Sequence, residues 1–430
     1  MSERALDRRI ALLAFPALGA LAADPLLSLV DTLFVSRLGA PALGALGING
    51  AIFGFAFVVF NFLAYATTPL VAQARGRGDQ VEAGAVIGRA LWLAAGLGVA
   101  TTALLVVGAG TLVGVMQASS EVAEPAVTYL RIRALAAPAV LVVLAAHGSF
   151  RGLADNVTPF RVALAANLVN AVLDPLLIFG LDWGIAGAAT ASAFSQYGAA
   201  VTFLYLLHRR LGSLPARPPS RGELAGLVRT GSILTLRTLF LVAALAAGTG
   251  VAAAAGTAEV AAHQVVRETW FLSAMLVDGL AIAAQALVAE QVGKGDRSGA
   301  RRVSSRLLFW GGVVGAGMAF LWLVAGPLLA ATFAPDATVS GLIQQVTPIA
   351  ALMAPLAAVV WVLDGVFLGE LRLHLLLSST AAGAVVGVAG FAATQLLGWG
   401  LAGVWWSTAA LVAGRGVVLV YGWRRPRPGI

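Results

Sequence analysis

The chain has 430 residues, 59% of them hydrophobic and 11% charged, with a mean hydropathy of +0.89 and no cysteine. Soluble domains carry about 25% charged residues, so this composition excludes a water-soluble globular protein; the missing thiols exclude disulfides, Fe–S clusters and thiolate metal sites. The net charge of +8 gives no reason to expect a nucleic-acid partner, because the basic residues fall between apolar segments, as they do in membrane proteins.

Apolar runs of about 20 residues or more, enough to cross a hydrocarbon core, predict an all-α integral membrane protein with twelve spans. In chain order these are approximately 9–36, 46–73, 85–116, 123–149, 158–180, 184–209, 223–255, 259–292, 300–333, 338–369, 374–397 and 400–423. Ser2-Glu3-Arg4 leads into the first span with no A-x-A cleavage site, so that span is expected to be retained. Four scattered histidines, at 147, 208, 263 and 374, offer no metal cluster.

Charge between the spans gives an orientation. Arg4, Arg8 and Arg9 precede span one; Arg75 and Arg77 follow span two; Arg209, Arg210, Arg217 and Arg221 follow span six. Lys294, Arg297, Arg301 and Arg302 follow span eight, and Arg424, Arg425 and Arg427 end the chain. The opposite breaks hold Arg37 but otherwise Glu121, Asp182, Glu259 and Asp336. Both termini are therefore expected in the cytoplasm.

The sequence also repeats itself. Gly76-Arg77-Gly78-Asp79 returns as Gly293-Lys294-Gly295-Asp296, 217 residues on, and Trp183-Gly184-Ile185-Ala186-Gly187 returns as Trp399-Gly400-Leu401-Ala402-Gly403, 216 residues on. Arg89 and Leu91 match Arg306 and Leu308 at the first spacing. Two blocks at one interval indicate a duplicated unit. The expected organisation is a six-helix lobe over 1–210, a cytoplasmic linker over 211–222 and a second six-helix lobe over 223–430. Six helices per repeat give both lobes the same orientation, as two pseudo-symmetric bundles around a central cavity, the architecture of a transporter.

Polar residues inside the spans need a reason, because a carboxylate at the bilayer centre costs roughly 2.5–3.5 kcal/mol on insertion scales. Asp24 and Asp31 lie seven apart in span one, on nearly one helix face. Asn170 and Asp174 stand at i and i+4 in span five, and Pro25 and Pro175 directly follow two of these acids. Helix-interior prolines leave a carbonyl free one turn earlier, here at Leu21 and Ala171. At the repeat interval Asp31 meets Gly248 and Asp174 meets Gly390, so these acids belong to the first repeat alone and are read as functional.

Asp278, mid-span in helix eight with Asn61 as its counterpart, is a candidate to line the substrate cavity or to balance Arg237 or Arg267. Asp24 either joins the Asp31 site or pairs with an arginine. Arg151 and Asp364, counterparts near the cytoplasmic ends of spans four and ten, are candidates for an inter-lobe gate, with a water-exposed helix-end charge as the simpler reading of Asp364. Arg131 and Arg133 are expected to snorkel or to pair with Glu121 or Glu124. Trp270 and Phe271, with Phe53, Phe55 and Phe57, either line a cavity for flat molecules or pack against lipid and protein. The Gly-[Arg/Lys]-Gly-Asp turns lack the Gly-Lys-Ser/Thr of a phosphate-binding loop.

Several of these segments resemble one family. Val30-Asp31-Thr32 with Arg37-Leu38-Gly39, Arg151-Gly152 with Thr158-Pro159-Phe160, and Gly184-Ile185-Ala186-Gly187-Ala188-Ala189 are similar to the multidrug and toxic compound extrusion (MATE) transporters. Ala261-Ala262-His263-Gln264 and Leu276-Val277-Asp278-Gly279-Leu280 resemble the DinF-like branch. The resemblance implies efflux of lipophilic organic cations driven by inward H⁺ or Na⁺, with no other cofactor. It carries a first-lobe cation site onto Asp31, Asn170, Asp174 and Ser192. Many relatives have Thr at the last position, which makes neighbouring Thr190 a substitute.

The expected protein is thus an antiporter rather than an enzyme, a monomer in the cell membrane of a bacterium or archaeon, with lipid around it and no nucleic acid. The first rival, a flippase for a lipid-linked substrate, calls for basic residues in its cavity, whereas the charges within the spans read as chiefly acidic. A polyprenyl transferase calls for clustered Asp, which is absent from the sequence. A channel would show flux independent of a driving gradient.

Overall fold

The structure, a computed structural model, describes residues 2–214, 217–334 and 336–425, with only the backbone described at 23, 24, 26 and 27. The Asp24 side chain, expected at the cavity, lies outside the described residues. So do residues 215 and 216 of the expected linker.

Regular structure among the described residues is helical. The elements are α1 (Glu3–Ser36), α2 (Ala40–Val58), α3 (Phe62–Gly76), α4 (Gln80–Val115), α5 (Ser120–Ala134), α6 (Ala137–Gly152), α7 (Val157–Pro175) and α8 (Gly184–Leu211). The second repeat supplies α9 (Arg221–Ala255), α10 (Thr257–Gly293), α11 (Arg297–Phe333), α12 (Ala337–Gly369), α13 (Leu373–Leu397) and α14 (Gly400–Arg424). A 3-10 turn, Val59–Asn61, joins α2 to α3 as span two. The α5 and α6 helices form span four, bent by 51° at residues 135–136. Fourteen helices thus make twelve helical segments, of which nine, or ten with the bent α5–α6 pair, are long and apolar enough among the described residues to cross a membrane. Most of the twelve begin earlier than the apolar pattern predicts, α1 and α2 by the most, at Glu3 and Ala40, because a polar or Gly-Ala-Pro start does not stop a helix.

Proline acts differently at its two expected breaks. Through Pro25 α1 continues as one helix. After Pro175 the backbone loosens into a π turn, Leu176–Gly180.

The chain divides into two compact units: Phe15–Gly231, and Met1–Ala14 together with Ser232–Ile430. The division cuts α1 and α9 near their starts. Within the N-terminal unit α6 packs on α3, α4 and α8, while α5 packs on α2, α4 and α8. Within the C-terminal unit α12 packs on α10, α11 and α14, and α13 packs on α14. With no water to exclude between helices in lipid, close approach and van der Waals contact do the work, and small residues permit it. A Cβ on Gly98 would strike the Pro138 backbone, and one on Gly365 the Ala281 backbone.

The first ten residues of α1 are tied to the C-terminal unit by charge. Arg306 donates to both oxygens of Asp7, at 2.7 and 2.6 Å, and the Trp310 indole adds a third bond at 2.9 Å. Arg9 and Lys294 converge on Glu290. At the corresponding place in the other unit, Glu223 at the start of α9 lies in the field of Arg89.

The repeated Gly-[Arg/Lys]-Gly-Asp turns are helix junctions. Gly78 and Gly295 take φ values of +79° and +72°, the left-handed cap that ends a helix cheaply only with glycine. Asp79 and Asp296 then cap the next helix, accepting from the backbone N–H of Glu82 at 2.9 Å and of Gly299 at 2.8 Å. The Gly299 N–H, and after it the Ser298 hydroxyl, hold the Asp296 carboxyl below its ordinary value. A depressed acid stabilises the fold above its unfolded pKa, about 3.9, and loses that effect as pH falls through the lower folded value. Asp296→Ala is therefore expected to lower the melting temperature at pH 7. The gap between variant and parent should close as melting is followed to pH below about 4.

Candidate cation-coupling site and a second cavity

In the N-terminal unit four of the five expected coupling residues come together. Asp31 arrives from α1, Asn170 and Asp174 from successive turns of α7, and Ser192 from α8. The π turn brings the end of α7 against α8: a Cβ on Gly187 would sit 2.7 Å from the Leu177 carbonyl carbon, so only glycine lets α8 lie this close. The Asn170 amide then bridges both acids, donating to Asp174 Oδ2 at 2.8 Å and to Asp31 Oδ1 at 3.1 Å. Asp31 also interacts with the Asp174 carboxyl and the Ser192 hydroxyl.

Asp174 is 0% exposed, and its Oδ1 has no hydrogen-bond partner. Two carboxylates, one amide donor and a vacant acceptor oxygen make a buried arrangement short of positive charge. A buried anion is costly unless it is paired or neutralised. The Thr190 hydroxyl donates to the Ala186 carbonyl of its own helix at 2.7 Å.

Two residues of α5 complete the site and were not foreseen. Tyr129, 5% exposed, interacts through its hydroxyl with Ser192 and lies in the field of Asp31 and Asp174. Its ring packs with Val35, Ala42, Ile178 and Ala189. Arg133, expected to snorkel or to pair with Glu121 or Glu124, instead acts electrostatically on Asp31 and Tyr129. Its guanidinium lies 5.7 Å from the Phe53 ring centroid. The i, i+4 spacing of Tyr129 and Arg133 was the available signal, since it places both on one face of α5.

Among its described residues the C-terminal unit lacks this constellation. A side chain at Gly248 would run into the Phe391 ring, and one at Gly390 into Ser407. The Phe391 ring and the Ser407 side chain occupy the space next to these glycines. The unit has instead a cavity of about 230 Å³, and Asp278 is among the residues that line it. Trp270 is its aromatic centre, with ring centroids 5.9 Å from Trp361, 6.4 Å from Trp405 and 6.2 Å from Trp322. Trp270 thus both packs and lines a cavity. Asn61 lies far along the chain in the 3-10 turn of span two, half-buried.

The gate expectation for Asp364 is corrected. Asp364 is 5% exposed, not a helix-end charge in water, and it takes both its partners from its own unit: Arg237 on α9 and Arg415 on α14. Arg151, in the last turn of α6, is also buried. The charges within the spans are also not chiefly acidic, since Arg237, Arg267 and Arg415 all stand in or beside this cavity. A lone Arg in apolar span twelve was the signal for Arg415.

These observations define a multi-span membrane protein with two buried carboxylates bridged by an amide in one repeat and an aromatic cavity in the other. The MatE family model matches residues 16–176 and 234–391, one segment in each repeat. Protein DETOXIFICATION 44, chloroplastic, from Arabidopsis thaliana, is 36% identical over 83% of this chain and 71% of its own. DNA damage-inducible protein F from Escherichia coli is 28% identical over 97% and 92% of the two chains. Among solved structures, a MOP superfamily transporter from Pyrococcus furiosus superposes with a TM-score of 0.87 at 21% identity, over 97% of this chain and 95% of that one. The chain belongs to the MatE family of membrane transporters, with the twelve-helix, two-lobed fold of that family.

Proposed function

We propose that the protein is a secondary antiporter that expels lipophilic organic compounds, organic cations first, in exchange for protons moving inward through the Asp31–Asn170–Asp174–Ser192 site. The observation that carries this reading is the single Asn170 amide bridging two buried carboxylates, one of which keeps a vacant oxygen. The amide presents N–H, not C=O, to both acids. That orientation suits two anions or a shared proton. A sodium ion would need the amide reversed, so that its oxygen could join the carboxylates and the Ser192 hydroxyl in a hard-cation shell.

Protonation removes the charge that holds the Asn170 bridge and releases α1 from α7. Deprotonation on the cytoplasmic side restores it. Transport follows only if proton and substrate favour different conformations; tight binding alone moves no equilibrium. The termini lie in the cytoplasm, six spans form each lobe, and the residues near 211–222 link them; one chain suffices as the working unit.

The test is efflux of ethidium from proteoliposomes under an imposed proton gradient or an imposed sodium gradient. Efflux is expected with the proton gradient and not with sodium alone. Sodium-driven efflux without a proton gradient would replace the proton by Na⁺ at the same oxygens, and efflux independent of either gradient would remove the antiport reading.

A further inference from the structure

Within the Arg237–Asp364–Arg415 cluster of the C-terminal unit the charges do not balance. Arg237 and Arg415 both donate to one oxygen of Asp364, Oδ2, while Oδ1 has no partner. The side chains of Arg415, Asp364 and Arg237 are 3%, 7% and 13% exposed. Two guanidiniums therefore share one carboxylate in a nearly dry place, with a positive charge in excess. Such a charge is unfavourable unless something pairs with it.

Arg415 is also a wall of the aromatic cavity. On the same wall stands Arg267, whose Nη2 reaches the exposed Glu268 at 2.8 Å. The Nε–H groups of Arg267 and Arg415 and the indole N–H of Trp405 are buried donors without acceptors. Among the described charged residues that line the cavity, two guanidiniums face one carboxylate, Asp278. The remaining walls include the flat faces of Trp270, Trp361 and Trp405. At about 230 Å³ the space is below the roughly 300–1,000 Å³ of sites for drug-sized ligands, which restricts the occupant to one or two rings.

We propose that this cavity binds a small planar aromatic carboxylate, its ring stacked among Trp270, Trp361 and Trp405 and its carboxylate held by Arg415 and Arg267. A carboxylate supplies the acceptor oxygens that the surplus donors lack, in the planar geometry a guanidinium matches. The rings supply offset and edge contacts. Tryptophans alone would suit an organic cation equally well; the two arginines exclude it. This site takes a ligand of opposite sign to the exported cations proposed above, and it lies in the other repeat from the coupling acids.

The experiment is equilibrium binding of 2-naphthoate to the purified full chain in nanodiscs by titration calorimetry, with no gradient present. Its cationic counterpart, 2-naphthylmethylammonium, and the ringless acid acetate are run beside it. Saturable naphthoate binding at one site per chain is expected, at least tenfold tighter than either comparison ligand. Arg415→Gln should weaken naphthoate at least tenfold while leaving the Arg237–Asp364 pair intact. Trp361→Ala, the second variant, should weaken it without touching the arginines. Tighter binding of the ammonium, equal binding of acetate, or naphthoate binding unchanged in both variants overturns the proposal. Failure here leaves gradient-driven ethidium efflux, and with it the coupling site, untouched.

Discussion

Asp174→Asn is expected to reduce proton-driven ethidium efflux to the level of empty proteoliposomes. The variant keeps the shape of the side chain and its place beside Asn170. It removes the ability to change charge, and a side chain that cannot change charge cannot favour one conformation on taking up a proton. Asp174 is the sharper test of the pair because it is wholly buried and holds the shorter bond to Asn170. Asp31, half-buried and within the field of Arg133, should show the same loss as Asn. The protein should still reconstitute with unchanged yield, so that lost efflux reports lost coupling. Gradient-driven efflux equal to the parent's in both variants would remove these acids from the mechanism.

Asp364→Ala is expected to destabilise the C-terminal unit by about 3–5 kcal/mol, the usual cost of removing one partner from a buried ion pair. The reason is what remains: Arg237 and Arg415, both buried, with no carboxylate between them. Thermal or denaturant unfolding in detergent measures it. The charge argument has its own control. In an Arg415→Gln background the same substitution strands one guanidinium rather than two, so it should cost clearly less, and the difference is the coupling within the triad. Equal losses in both backgrounds would mean that Asp364 holds the helices by packing alone.

The residues that betray themselves to sequence reading are those that break the apolar rule on their own. Asp31, Asn170 and Asp174 are conspicuous because each is expensive in lipid, and helical spacing alone puts the last two on one face. The twelve helical segments are legible for the same reason, since length and hydropathy leave few other arrangements. What escapes is whatever depends on a partner distant in the chain. Arg133 looks like any arginine near a helix end until α5 is placed beside α1. Asp364 looks like a water-exposed helix end until α9 and α14 bring two arginines to it. The 3-10 turn at Val59–Asn61 has no punctuating residue inside it, the bend at residues 135–136 is marked only by Pro138 in the first turn of α6, and Pro25 breaks nothing.

The opening segments of α1 and α9 have one more implication. Each repeat starts with a stub that belongs to the other repeat's compact unit, cut at Ala14 and at Gly231, and each stub carries an acid, Asp7 or Glu223, toward a matched arginine, Arg306 or Arg89. Severing the chain near residue 215 would leave each fragment carrying the opening segment of the other fragment's compact unit, so the two fragments should be stable together and not apart.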